Sequence, residues 1–197
     1  MVPDQSQLTV SLYKMFSIPT LLTLARIALI PVFVICFYLP VSWSNEATLA
    51  IFLIAAFTDW LDGFLARVLN QASRFGAFLD PVADKLMVAV ALVLLVQENP
   101  TIWMAIPAAI IIGREIAVSA LREWMAEIGE SANVAVSMVG KIKTTAQMVA
   151  ISMLLYHEPL KEFMVYETGL VLMYVAAGLT FWSMVLYLKA ARHSFHK

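Results

Sequence analysis

Cysteine is almost missing from this chain of 197 residues, since Cys36 is the only one. A disulfide framework and a thiolate metal site each need several cysteines, so both are excluded. Charged residues are also scarce: they make up 14% of the chain, and the formal net charge is −1. A balance so close to neutral argues against a nucleic-acid-binding protein. The charges that are present must therefore be interpreted one by one.

Apolar residues are abundant instead, at 61% of the sequence, a share that soluble domains do not reach. Six apolar runs each have about the 20 residues that cross a bilayer as a helix. They cover 18–39, 47–66, 78–96, 102–124, 132–156 and 168–188. We expect turns to extend as far as Gly76 before the third run and Gly169 before the sixth. The sequence predicts one all-α, polytopic membrane domain over 1–197, with a six-helix bundle at 18–188 and a tail at 189–197.

The basic residues predict the orientation of these spans, because Lys and Arg concentrate on the cytoplasmic side of a membrane protein. Of the 13 Lys and Arg residues, 12 fall toward one face and only Lys161 toward the other. We therefore expect both termini in the cytoplasm. Segment 1–17 has apolar residues three to four apart, which predicts an amphipathic helix on the membrane surface. A disordered tail is the alternative for this segment.

Charges inside the spans lie at a common depth. Five helices have a formal charge 12 to 14 residues from the outer end, about 20 Å below the outer boundary of the apolar core at 1.5 Å per residue. These residues are Arg26, Asp59, Asp84, Arg114 and Lys143. Charges at that depth are costly unless they pair, bind a metal or line a wet cavity. The sequence therefore predicts a polar chamber open to the cytoplasm, and the sixth run, which is uncharged, should face lipid or pack from outside.

Four of the five aspartates occur close together in the sequence. Asp59 and Asp62 are three residues apart near the end of the second run, and Asp80 and Asp84 are four apart near the start of the third. Each pair shares a helical face, and the short linker should make the two helices antiparallel neighbours. Oxygen ligands without nearby His or Cys favour Mg²⁺, Mn²⁺ or Ca²⁺. The alternative is hydrogen bonding of each aspartate to a neighbouring helix, which is common for a single intramembrane Asp.

The segment that holds these aspartates reads D-x-x-D-G-x-x-A-R-x8-G-x3-D-x3-D from Asp59 to Asp84. This pattern resembles the signature of the CDP-alcohol phosphotransferase family at every position. The similarity extends over nearly the whole chain beyond Met15. The segments IPTLLTLARIALIPVF, TDWLDGFLARVLNQASRFGAFLDPVADK and REIAVSALREWMAEIG look most like the bacterial members that make phosphatidylglycerol phosphate. One position departs from the family pattern, because Ser17 stands where Asn is expected.

The resemblance implies a fold of six membrane helices plus an amphipathic helix, present as a homodimer in the bacterial inner membrane with the active site facing the cytoplasm. It implies that Asp59, Asp62, Asp80 and Asp84 border two divalent ions, Mg²⁺ or Mn²⁺, and that Asp84 is also the general base. It further implies that the CDP moiety of CDP-diacylglycerol is bordered by Thr23, Gly63, Ala66, Arg67, Ser73 and Gly76.

Basic residues beyond the aspartate motif indicate the second substrate. Arg114 and Arg122 are two turns apart on one face, and Lys141 and Lys143 lie near the start of the fifth run. These cations exceed what a metal-bound diphosphate needs, which favours a phosphorylated acceptor. We therefore expect phosphatidyl transfer from CDP-diacylglycerol to glycerol 3-phosphate. Inositol phosphate or phosphatidylglycerol is the alternative acceptor, and a cation-coupled transporter is a distant alternative. Lys141 and Lys143 could instead extend toward anionic lipid headgroups.

Overall fold

A computed structural model describes residues 18–68, 74–127, 138–157 and 164–191. These parts of the chain form six helices and no strand. The helices are α1 Ile18–Tyr38, α2 Ser44–Val68, α3 Arg74–Glu98, α4 Ile102–Glu127, α5 Met138–Tyr156 and α6 Val165–Ala191. Each coincides with one of the six apolar runs, so the predicted all-α class and the number of helices in the described residues are confirmed.

Four helices are long and apolar enough to cross a bilayer, namely α1, α2, α4 and α6. The other two, α3 and α5, carry charged residues within the predicted spans. Asp80, Asp84 and Lys85 lie in the first half of α3, and Lys141 and Lys143 lie near the start of α5. The chain is therefore a helical membrane protein. The six-span topology stays a prediction.

The chain divides into two compact units, Met1–Ala91 and Leu92–Lys197. The first unit contains a hairpin of α1 and α2. Ser44, the first residue of α2, forms a hydrogen bond back to α1 near the turn between the two helices. The Ser44 hydroxyl donates to the Cys36 carbonyl over 2.6 Å, and the fully buried rings of Phe33 and Phe52 lie 6.4 Å apart between the two helices. This contact fixes the register: Arg26 lies seven residues before Phe33 on α1, and Asp59 lies seven residues after Phe52 on α2. Because the helices are antiparallel, these two charged residues are brought to the same level.

In the second unit α6 packs against both α4 and α5. Gly169 is buried on α6, and a Cβ atom added there would lie 3.0 Å from the Cβ of Met153 on α5. The two helices therefore approach closely at Gly169, and a Cβ atom there would make a tight contact. Nearer the other end of α6, Tyr187 forms a buried cluster with Val118 and Met125 of α4.

Several predicted boundaries are wrong by a few residues. Gly76 lies inside α3 and Gly169 inside α6, so neither glycine forms the turn that its type suggested. Gly169 is instead buried where α5 and α6 meet. The sixth helix extends to Ala191, three residues beyond the predicted end of the bundle at 188. The predicted amphipathic helix at 1–17, with Ser17, lies outside the described residues, and so does Ser73.

Candidate active site

The centre of the first unit is a buried arginine between two aspartates. Arg26 is 1% exposed, and its Nη1 donates to Asp59 Oδ1 over 2.7 Å while its Nη2 donates to Asp62 Oδ2. Asp62 is almost completely buried, whereas the Asp59 side chain is 41% exposed. The backbone N–H of Gly63 also donates to the Asp62 carboxylate. One carboxylate is thus held inside the protein and the other reaches its surface.

A second contact from α1 reaches the third aspartate. Thr23, which is fully buried one turn before Arg26, donates its hydroxyl to Asp80 Oδ1. Asp59 and Asp80 are both close enough to Asp62 to interact with it electrostatically. Helix α1 therefore holds acids of α2 and α3 together, with Thr23 and Arg26 on one helical face. Asp84, one turn after Asp80, is exposed.

The donor set of this cluster suits a hard divalent cation. Its ligands are carboxylate oxygens, which Mg²⁺ and Mn²⁺ prefer. Three carboxylates and one guanidinium leave two formal negative charges, the charge of one divalent ion. In the parts of the chain that the structure describes, no three acidic, His or Cys side chains already form a group that could hold a metal. Arg26 contacts one oxygen each of Asp59 and Asp62, so the donor chemistry fits a metal while the guanidinium occupies part of the cluster.

A separate charged cluster lies in the second unit and is centred on Glu115. Its Oε1 accepts from Arg114 Nη1 over 2.8 Å and from Lys143 Nζ over 2.9 Å. Arg114 Nη2 donates to Ser183 Oγ of α6 over 3.3 Å. The sixth helix, which was expected to face lipid or pack from outside, thus contributes one hydroxyl, that of Ser183, to this cluster.

The other predicted site residues have the following positions. The guanidinium of Arg122 lies 5.6 Å from the centroid of the Tyr187 ring, a cation–π contact. Gly76 is buried in α3. Ala66 and Arg67 lie on α2 and Lys141 lies on α5, but the structure does not describe their side chains.

Sequence reasoning missed three participants in these clusters: Arg26, Glu115 and Ser183. Arg26 was predicted only as one of several charges at a common depth, although an opposite charge at the same depth was a usable signal for its pairing with Asp59. For Glu115, the opposite charge of its neighbour in the sequence, Arg114, was a usable signal for an ion pair. Ser183 offered no signal, because a hydroxyl in an apolar helix most often bonds to its own backbone.

Together, the apolar helices and the oxygen-rich cluster inside them define a membrane protein with a buried acidic site. The sequence profile of the family described as CDP-alcohol phosphatidyltransferase matches residues 16–182. The chain belongs to this family, whose members generally depend on a divalent metal ion. The family prediction is thus confirmed, and the transporter alternative is set aside.

Bacterial relatives match almost from end to end. Proteins of Escherichia coli (strain K12), Escherichia coli O157:H7 and Shigella flexneri serotype 5b (strain 8401) are each 59% identical to this chain over 177 residues. The match covers 90% of this chain and 96% of each relative. All three are named CDP-diacylglycerol–glycerol-3-phosphate 3-phosphatidyltransferase.

Proposed function

We propose that this protein transfers the phosphatidyl group of CDP-diacylglycerol to glycerol 3-phosphate, which gives phosphatidylglycerol phosphate and CMP. The observation that carries the proposal is the 59% identity to transferases of that name over 96% of their length. The complete aspartate motif from Asp59 to Asp84 supports it, because the family resemblance implies that these carboxylates hold the metal ions. The enzyme class predicted from the sequence agrees with the relatives.

Asp59, Asp62, Asp80 and Asp84 are proposed to hold two divalent ions, Mg²⁺ or Mn²⁺. Such ions, when bound, balance the diphosphate of the donor and stabilise the departing CMP. Thr23 and Arg26 position the carboxylates from α1, since they contact three of the four. The CDP moiety is proposed to lie along Thr23, Gly63, Ala66, Arg67, Ser73 and Gly76.

Asp84 is the proposed general base. It is exposed, so a substrate hydroxyl can reach its carboxylate, in contrast to the buried Asp62. Its carboxylate accepts the proton of the glycerol primary hydroxyl as that oxygen bonds to the phosphorus bearing diacylglycerol. The bond from this phosphorus to the CMP oxygen breaks, and CMP leaves with the electron pair.

The phosphate of glycerol 3-phosphate is proposed to bind Arg114, Arg122, Lys141 and Lys143. Arg114 and Lys143 support this role because both are largely buried cations held by a single carboxylate, which leaves their cluster with a net positive charge. Arginine and lysine are also the side chains that bind phosphate most strongly. Inositol phosphate and phosphatidylglycerol are the alternative acceptors.

The proposed setting is the bacterial inner membrane, with six spans, both termini in the cytoplasm and the active site facing the cytoplasm. The four long apolar helices support the membrane location, and the distribution of Lys and Arg supports the orientation. A homodimer is proposed from the family resemblance alone.

An acceptor panel tests the function directly. Detergent-purified protein is incubated with radiolabelled CDP-diacylglycerol and, in parallel, glycerol 3-phosphate, free glycerol, inositol phosphate or phosphatidylglycerol. We expect rapid CMP release with glycerol 3-phosphate only, because free glycerol lacks the phosphate that the cations bind.

Activity should disappear in EDTA and return with Mg²⁺ or Mn²⁺. The control variant is Asp4→Asn, which changes the one aspartate outside the motif and should leave activity unchanged. Equal rates with glycerol and glycerol 3-phosphate would contradict the acceptor assignment, and full activity in EDTA would contradict the metal site.

A further inference from the structure

Glu115 contradicts the simplest picture of a phosphate site. A carboxylate beside Arg114 and Lys143 reduces their combined formal charge from two to one and repels a phosphate dianion. Yet its Oε1 contacts both cations, at 2.8 and 2.9 Å. A site selected only for positive charge would lack this residue, so its presence needs a physical reason.

The pattern of contacts on Arg114 supplies that reason. Glu115 binds Nη1, and Ser183 accepts from Nη2 at the long distance of 3.3 Å. The Nε atom is buried and has no hydrogen-bond partner within the described residues. A guanidinium presents Nε and Nη2 along one edge, and this edge can bind two oxygens of a phosphate at once. Glu115 therefore occupies the nitrogen outside that edge and leaves the edge for a ligand.

Lys143 gains a fixed position from the same contact. Its side chain is only 5% exposed, and ordering a lysine side chain removes rotamer entropy. The carboxylate holds the ammonium on α5 at a fixed place relative to Arg114 on α4 before any substrate binds. The rotamer entropy of Lys143 is therefore lost when the protein folds and not each time the substrate binds.

We propose that Glu115 is a positioning residue for the acceptor phosphate: it holds Arg114 by Nη1 and Lys143 by Nζ, so that the Nε and Nη2 edge of Arg114 faces the phosphate. The inference rests on the proposed function and deepens it. Glu115 itself does not contact the phosphate. The competing explanation is an ion pair that only joins α4 to α5.

The test compares Glu115→Gln with the parent enzyme and with Glu123→Gln. Glu123 is exposed on α4, two turns from Glu115, so its variant makes the same change of charge away from the cluster. Initial rates in mixed micelles are measured against glycerol 3-phosphate and, separately, against CDP-diacylglycerol. For Glu115→Gln we expect the KM for glycerol 3-phosphate to rise about tenfold and the KM for CDP-diacylglycerol to change less than twofold. Glu123→Gln should match the parent.

A double-substitution cycle with Arg114→Gln tests whether Glu115 acts through Arg114. If it does, Glu115→Gln should raise the KM for glycerol 3-phosphate much less in the Arg114→Gln background than in the parent. Should Glu115→Gln fail to fold, Glu115→Asp replaces it, because Asp keeps the charge on a shorter side chain, and the same selective rise is expected at smaller size.

Three results would overturn the proposal: a lower KM for glycerol 3-phosphate, equal changes for both substrates, or a lower melting temperature with unchanged KM values. A lower KM would mean that the charge of Glu115 only repels the substrate. Equal changes for both substrates, or a lower melting temperature alone, would mean that the ion pair is structural. A parent enzyme that does not use glycerol 3-phosphate would instead contradict the proposed function, so the two failures are distinguishable.

Discussion

Arg26 is the residue on which the acidic cluster depends most. It is buried to 1% exposure and contacts carboxylates of α2 in two directions. Removing one member of a buried ion pair leaves the other charge uncompensated, which costs about 3 to 5 kcal/mol. Asp62, at 3% exposure, would carry most of that penalty. A divalent ion at the same carboxylates could replace the lost positive charge.

We therefore predict that Arg26→Gln lowers the melting temperature of the detergent-purified protein in EDTA by several degrees. Addition of Mg²⁺ or Mn²⁺ should raise it more in this variant than in the parent, because the metal then supplies the positive charge that Arg26 supplies to Asp59 and Asp62 in the parent. Differential scanning fluorimetry with and without metal measures both effects.

Lys189→Gln is the control for Arg26→Gln, since it removes the same charge from an exposed position near the end of α6. It should melt like the parent under both conditions. An Arg26→Gln variant that melts like the parent in EDTA would show that the guanidinium does not stabilise the cluster.

The aspartates could be identified from the sequence, whereas their partners could not. Spacings of three and four residues place Asp59 with Asp62 and Asp80 with Asp84 on common faces, whatever the rest of the fold. Depth along a helix gives only the level of Arg26 and Arg114 in the bilayer. Which neighbour a long side chain reaches depends on helix rotation and rotamer, so the contacts of Arg26 with Asp62 and of Glu115 with Lys143 required the structure.

At the scale of whole helices, small residues decide how closely α5 and α6 approach. Gly169 faces the side chains of Met153 and Leu154 so closely that an added Cβ would lie 3.0 Å from the Met153 Cβ and 3.2 Å from Leu154 Cγ. Gly178, on the same helix, has no atom within 4 Å of that position. The two glycines therefore allow a controlled comparison, because Gly169 lies in a helix contact and Gly178 lies in open space.

Gly169→Ala should destabilise the protein, because overpacking costs about 1 to 3 kcal/mol while the gain in helix propensity is only about 1 kcal/mol. Gly178→Ala gains helix propensity without overpacking, so its melting temperature should equal or exceed that of the parent. Thermal unfolding in detergent compares the two variants. A Gly169→Ala variant as stable as Gly178→Ala would mean that the helices separate easily at this contact.

Helix positions were predictable because apolar runs of about 20 residues have few alternatives in a membrane protein. Their ends were not. Gly169 has the residue type of a turn but lies within α6, since the need for close packing there outweighs the low helix propensity of glycine. Gly76 is likewise buried inside a helix, α3.

For the whole molecule, the six-span topology makes a prediction about which connections face each compartment. Ser42, between α1 and α2, should lie outside the cytoplasm, and Glu127, at the end of α4, should lie inside it, because Lys and Arg flank the latter end and not the former. Both residues are exposed. Cys36 is the only native cysteine, so Cys36→Ser provides a background in which one new thiol can be followed.

In that background, a membrane-impermeant maleimide should label Ser42→Cys in intact spheroplasts and label Glu127→Cys only after lysis. The Cys36→Ser protein itself, which should stay unlabelled under both conditions, is the control for background reaction. This pattern would place the inner ends of α2 and α4, and with them Asp59, Asp62 and Arg114, on the side where glycerol 3-phosphate is present in the cell. Labelling of Glu127→Cys before lysis would reverse the orientation, and equal labelling of both sites would mean that an even number of spans separates them.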